Sequence, residues 1–169
     1  MVAAVDCRII CTKEKMGAGV TVGGNPVSDI NLSFPVGGPL SFLRPEAAAV
    51  HKVVSIVPDD SPLLIFIDCL VLLVVLAQWG QEDLLPDPED IKHFDIIEPC
   101  FQLLRQRTAS NNFVKVQSHS EILLNERAGD LGGQGYNSGE SARVASALQA
   151  RPPSTGRSGL RTESVFPVP

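Results

Sequence analysis

The sequence is short of cysteine pairs, of basic charge, of repeats and of a leader, and each shortage closes off a class of function. Its four cysteines, Cys7, Cys11, Cys69 and Cys100, form no Cys-x-x-Cys pair and have no histidine at zinc-finger spacing. A zinc site built from all four has no spacing to support it, and the pattern fits reduced, partly buried thiols of an intracellular protein, cytoplasmic or nuclear. The formal net charge is −5 over 169 residues. From residue 134 onward Arg143, Arg151, Arg157 and Arg161 face only Glu140 and Glu163, which leaves the preceding body at about −7. A body this acidic is no general phosphate binder; any nucleic acid must be met through local basic residues and metal ions. Asp6 and Arg8 interrupt the apolar N-terminus too early for the apolar region of a signal peptide.

One long hydrophobic run is present. PLLIFIDCLVLLVVLAQW, residues 62 to 79, is near the lower limit of length for a membrane helix. Asp68 within it would cost roughly 2.5–3.5 kcal/mol near a bilayer centre. The run divides better into a buried strand, 63 to 67, and a helix of about three turns, 69 to 79, with Asp68 at the strand's C-terminal end.

The rest of the chain reads as a meander followed by strand–helix alternation. Residues 2 to 11, 16 to 24 and 29 to 34 predict three strands joined by short linkers, which favours antiparallel pairing. Pro45 opens a helix that runs to Pro58, with Glu46 in its first turn. After the 63 to 67 strand and the 69 to 79 helix, a longer helix spans about 89 to 107, with Ile91, Phe94, Ile97, Phe101 and Leu104 on one face. Pro99 is expected to kink or split it. A last strand covers 112 to 117 and a last helix 122 to 131, stopped by Gly132 and Gly133. The order β-β-β-α-β-α-α-β-α implies an α/β fold with a mixed five-stranded sheet and helices on its faces. The Gly-, Ser-, Pro- and Arg-rich stretch from 134 to 169 reads as a disordered tail behind a domain of residues 1 to 133.

Four acids occupy positions that such a fold can bring together: Asp6, Glu46, Asp68 and Asp130. Glu46 could merely offset a helix dipole, and Asp130 could be a solvated helix acid. Asp6 and Asp68 are each embedded in apolar residues, where an unpaired carboxylate is costly. Two such acids on neighbouring strands repel unless a divalent cation sits between them, and oxygen-only ligands suit Mg²⁺ or Mn²⁺.

VDCRII with GAGV downstream, PEAAAV, IFIDCLVLL and VKVQSH…NERA occur in that order. Together they resemble the type 1 ribonuclease H family, and most of all the ribonuclease H domains attached to retroelement reverse transcriptases, over about residues 2 to 133. The resemblance implies a ribonuclease H-like fold and an endonuclease that cleaves the RNA strand of RNA–DNA hybrids with two Mg²⁺ or Mn²⁺ ions. It implies Asp6 as the bridging metal ligand, Glu46 and Asp68 as the second and third acids, and His119 as a loop histidine that assists proton transfer or product release. Outside the motif His119 would read as an ordinary loop histidine. Lys13, Lys15, Lys115 and Arg127, with Asn125, are the expected nucleic-acid contacts, although each basic residue could equally be a solvated surface charge. A reverse transcriptase in a parent polyprotein is the implied protein partner.

The sequence departs from the family at the last helix. Asn125-Glu126-Arg127-Ala128 should be followed by an acid, but residue 129 is glycine and the acid, Asp130, comes one place later. One helical position is about 100° of rotation. Asp130 is therefore the only acid at hand for the fourth metal position, and regular helical geometry turns it away. Cys7-Arg8 also replaces the Gly-Ser expected after the first acid. Three readings follow: a metal-dependent hybrid ribonuclease impaired at position 129, an inactive module of the same fold that binds hybrid or a protein partner, and a small membrane protein spanning 62 to 79.

Overall fold

The computed structural model describes residues 1–10, 15–23, 30–79, 93–117 and 122–135, with 7–10 and 79 in backbone only. Five strands and four helices follow one another: β1 Val2–Ile10, β2 Lys15–Gly23, β3 Ile30–Val36, α1 Leu43–Ile56, β4 Leu63–Ile67, α2 Leu70–Trp79, α3 Phe94–Gln106, β5 Asn111–Lys115 and α4 Leu123–Gly135. The strands form one mixed sheet in the order β3-β2-β1-β4-β5. The first three pair antiparallel, while β4 joins β1, and β5 joins β4, in parallel. The meander and the strand–helix half therefore meet at the β1–β4 boundary.

Alternation along the strands builds the main core. Ala3 and Val5 of β1, Met16, Ala18, Val20 and Val22 of β2, and Leu63, Ile65 and Ile67 of β4 share one face of the sheet. They form a single buried cluster with Val50, Val53 and Val54 of α1, Leu72 and Leu76 of α2, and Ile97, Phe101 and Leu104 of α3. The opposite face carries small residues on β1 and β2, and α4 packs there across β1, β2 and β3. Two arginines tie the layers. Arg44 of α1 holds Asp95 of α3 with both terminal nitrogens, at 2.8 and 2.5 Å. Arg107, only 4% exposed, donates to Asn111 Oδ1 at 2.6 Å and to the carbonyls of Val57 and Ser61 at 2.9 and 2.6 Å. It thereby closes the α1–β4 loop onto the start of β5.

The preferred division of the 62 to 79 run is found in place of the membrane span, and two helix expectations are corrected. The hydrophobic run of 62 to 79 is cut at Asp68 into β4 and α2, and no helix among the described residues is long and apolar enough to cross a membrane. Helix α3 continues through Pro99; the one hydrogen bond that the proline gives up, to the Asp95 carbonyl, lies on the helix's solvent side. Its start at Phe94 is marked by His93 in the left-handed conformation, and the expected turn at 89 to 92 lies outside the described residues. Helix α4 does not stop at Gly132-Gly133 but runs to Gly135, two residues past the expected domain limit. Close packing on the sheet outweighs the weak helix propensity of its glycines.

Candidate metal centre

The centre is assembled by register. Ala4 of β1 pairs with Phe66 of β4, so two residues further on Asp6 stands level with Asp68, just beyond the carboxyl end of β4. Open α/β sheets collect their ligands at this end. Glu46 arrives from the first turn of α1 and is 1% exposed. The positive end of the helix dipole lowers the cost of keeping a carboxylate there. One ligand oxygen from each of Asp6, Glu46 and Asp68 lies within 4.8 Å of the other two.

These three acids fit a hard divalent cation. Their donor set is all oxygen, and in an octahedron of ~2.1 Å bonds opposite ligands are about 4.2 Å apart. Neighbouring ligands in that octahedron are about 3.0 Å apart, so oxygens within 4.8 Å of one another would draw in by up to about 1 Å, within reach of side-chain rotation, to meet one ion. The cluster's field reaches Cys69, whose thiol is pushed up by burial first; hydrogen bonding from the Leu72 backbone works against this, and the charges of Glu46 and Asp68 add to it.

Helix α4 roofs the other side of Asp6. On β2, Gly19 is directly opposite Asp6, and on β3, Ser33 is opposite Gly19. The helix crosses this row. Ser33 Oγ donates to the Leu131 carbonyl at 2.6 Å. Gly19 leaves room for α4's backbone, since a Cβ there would lie 1.8 Å from the Ala128 carbonyl oxygen. A Cβ at Gly129 would lie 2.8 Å from Asp6 Oδ2. Position 129 therefore faces the Asp6 carboxylate directly.

Asp130 is exposed and stands outside the acid cluster. The helix is regular here, so one step along it turns the side chain away from Asp6. The structure brings together Asp6, Glu46 and Asp68 of the four expected acids and does not bring Asp130 to them. Asn125, expected to meet nucleic acid, is 1% exposed, and its Oδ1 is buried with no hydrogen-bond partner. Burial closes it to any substrate. Lys15, Lys115 and Arg127 are exposed. Lys115 pairs in register with Ile67, next to Asp68, and its ammonium donates to the Val116 carbonyl. Lys13 and His119 lie outside the described residues. The closeness of position 129 to Asp6 agrees with the place that the resemblance gives the fourth acid; periodicity alone could not supply it, because it depends on where α4 crosses the sheet.

No family model matches the sequence, and no curated protein matches it. Solved structures do. The PFV RNase H domain superposes with a TM-score of 0.55 at 20% identity, over 80% of this chain and 93% of that one. The LC9-RNase H1 structure, described as a type 1 RNase H with the type 2 active-site motif, gives 0.55 at 15% identity over 96% and 86%. The Prototype Foamy Virus protease–reverse transcriptase gives 0.54 at 18% identity; 80% of this chain is covered, but it spans only 20% of that longer protein. At these identities the likeness establishes the architecture, and the architecture is that of a ribonuclease H domain.

Proposed function

We propose that the chain is a divalent-metal-dependent endonuclease that hydrolyses the RNA strand of RNA–DNA hybrids, of the kind attached to retroelement reverse transcriptases. The observation that carries this reading is the convergence of Asp6 in mid-β1, Glu46 at the start of α1 and Asp68 just past the carboxyl end of β4, within a ribonuclease H-like architecture. Asp6, Glu46 and Asp68 would hold the cation. A bound Mg²⁺ or Mn²⁺ supplies Lewis-acid stabilisation of the phosphoryl oxygens and lowers the pKa of an attacking water.

The chain's own residues supply the rest. Burial of Glu46 keeps its carboxylate dry and its geometry fixed, which strengthens its hold on a cation. Lys115, exposed beside the Asp68 end of β4, and Lys15 and Arg127, also exposed, offer cations to the phosphates of a bound duplex. Selection of RNA over DNA would come from 2′-hydroxyl contacts across the minor groove, so sequence preference should be weak. By the same resemblance, His119 would assist proton transfer or product release.

The test is cleavage of a labelled RNA–DNA hybrid in Mg²⁺ and in Mn²⁺ by the parent chain, Asp68→Asn and Gly129→Asp. The parent should cut slowly, Asp68→Asn should not cut, and Gly129→Asp should gain ~100-fold, the scale attached to one preorganised charge-stabilising group. Absence of RNA cleavage from the folded parent and from Gly129→Asp would refute the nuclease reading and leave the hybrid-binding module in its place.

A further inference from the structure

We propose that the acid cluster takes one divalent cation in the free protein, not two, and that Gly129 sets this number. The inference rests on the metal-dependent reading above and departs from the two-ion arrangement that the ribonuclease H resemblance implies.

A pair of cations sharing Asp6 needs ligands on both sides of that carboxylate. One side is complete. Oxygens of Asp6, Glu46 and Asp68 converge within 4.8 Å. The other side is position 129. A Cβ there would have only Asp6 Oδ2, at 2.8 Å, and Asp6 Cγ, at 3.6 Å, within 4 Å. Among the described residues, position 129 thus comes within 4 Å of Asp6 but not of Glu46 or Asp68. With glycine in place, Asp6 is the one side chain among the described residues that position 129 offers to an ion on that side. Asp130 does not substitute, being exposed and turned away by one helical step.

Charge balance shows what a fourth acid would add. Three carboxylates carry −3, so one dication leaves the half-buried cluster at −1. A second would leave it at +1 with Glu46 fully enclosed, and only a fourth acid would neutralise two. The 2.8 Å approach adds a second consequence. It is closer than a real Cβ comes to an oxygen, so the Asp6 carboxylate occupies space that a side chain at 129 would claim. Any such side chain pushes Asp6 back. Only an acidic one also supplies the missing ligand.

The experiment is a titration of the metal-stripped full chain with Mn²⁺, with free ion read by electron paramagnetic resonance and folding checked by circular dichroism. One equivalent should bind to the parent and to Gly129→Ala, two to Gly129→Asp, and none to Asp68→Asn. Two equivalents bound by the parent would overturn the proposal even if every variant failed to fold. So would a single equivalent in a folded Gly129→Asp, or none in the parent. Hybrid cleavage measured on the same samples separates this from the nuclease reading. One equivalent in the parent and two in Gly129→Asp, with no cleavage by either, would refute the nuclease and uphold the stoichiometry. Two equivalents in a parent that cleaves would do the reverse.

Discussion

Replacing Gly19 with alanine should loosen α4 from the sheet, and the size of the effect can be worked out from the approach of the two backbones. The added Cβ would lie 1.8 Å from the Ala128 carbonyl oxygen, 2.5 Å from the Gly132 nitrogen and 2.9 Å from the Ala128 carbonyl carbon. All three are helix backbone, which cannot rotate aside as a side chain can. An ordinary carbon–oxygen contact needs a separation of about 3.2 Å, so the helix must rise by more than 1 Å. Overpacking of this kind costs about 1–3 kcal/mol, and displacement of a whole element puts it at the upper end. For a domain of this size ~3 kcal/mol corresponds to a fall of about 10 °C in Tm. Urea unfolding should show a lower midpoint with an unchanged slope. Gly37→Ala is the control, because a Cβ at Gly37 meets nothing within 4 Å; it should stay within ~0.5 kcal/mol of the parent. A Gly19→Ala midpoint indistinguishable from that of Gly37→Ala would refute the packing argument.

Two further perturbations test the layers beneath the site. Arg107→Ala would leave the carbonyls of Val57 and Ser61 and Asn111 Oδ1 without their shared donor, a loss of about 3 kcal/mol in urea unfolding; a loss under ~1 kcal/mol would mean that water reaches all three acceptors. His51 on α1 has its pKa lowered to about 4, by burial first and by Lys52 second. Below its ordinary value near 6.5 the unfolded chain binds a proton that the folded chain refuses, so stability falls as pH drops from about 6.5 to about 4. The full shift would be worth at most about 3 kcal/mol, and less because the ring is partly solvated. His51→Gln should flatten that part of the stability–pH curve, and equal slopes in the two proteins would refute the assignment.

Much of the frame was legible because the relevant signals are local. The β4 strand falls at 63 to 67 as its apolar run and the following Asp68 predict. The α1 helix begins at Leu43, two residues before the proline that sequence reasoning takes as its start. Strand β3 runs on to Val36 through Pro35, which an edge strand tolerates because one side of it has no partner to receive a hydrogen bond. The convergence of Asp6 and Asp68 also follows from pattern, once the two strands are taken as parallel neighbours. What could not be read was where α4 ends, since the helix expected over 122 to 131 runs on to Gly135. Its Gly132, Gly133 and Gly135 signal a stop when only propensity is weighed. In the fold, close approach to β2 and β3 is what this stretch provides: Gly132 lies against Gly19, and a Cβ on Gly135 would come 2.5 Å from the Phe34 carbonyl oxygen. Propensity and tertiary packing conflict at this helix, and packing wins.

That contrast separates Gly129 from its neighbours. Gly19 and Gly135 are demanded by backbone, since a Cβ at either would strike main-chain atoms that cannot yield. Gly129 is not. The only atoms that a Cβ there would meet belong to the end of the Asp6 side chain, which can turn. Folding therefore does not explain the glycine. Within a helix it even costs about 1 kcal/mol relative to alanine, so a substitution that kept the sheet contact would stabilise α4. Glycine at this position places no side chain against the Asp6 carboxylate. Its consequence falls on the surroundings of Asp6 rather than on the architecture around it, so the ribonuclease H-like fold stands intact while position 129 brings no side chain to the Asp6 carboxylate.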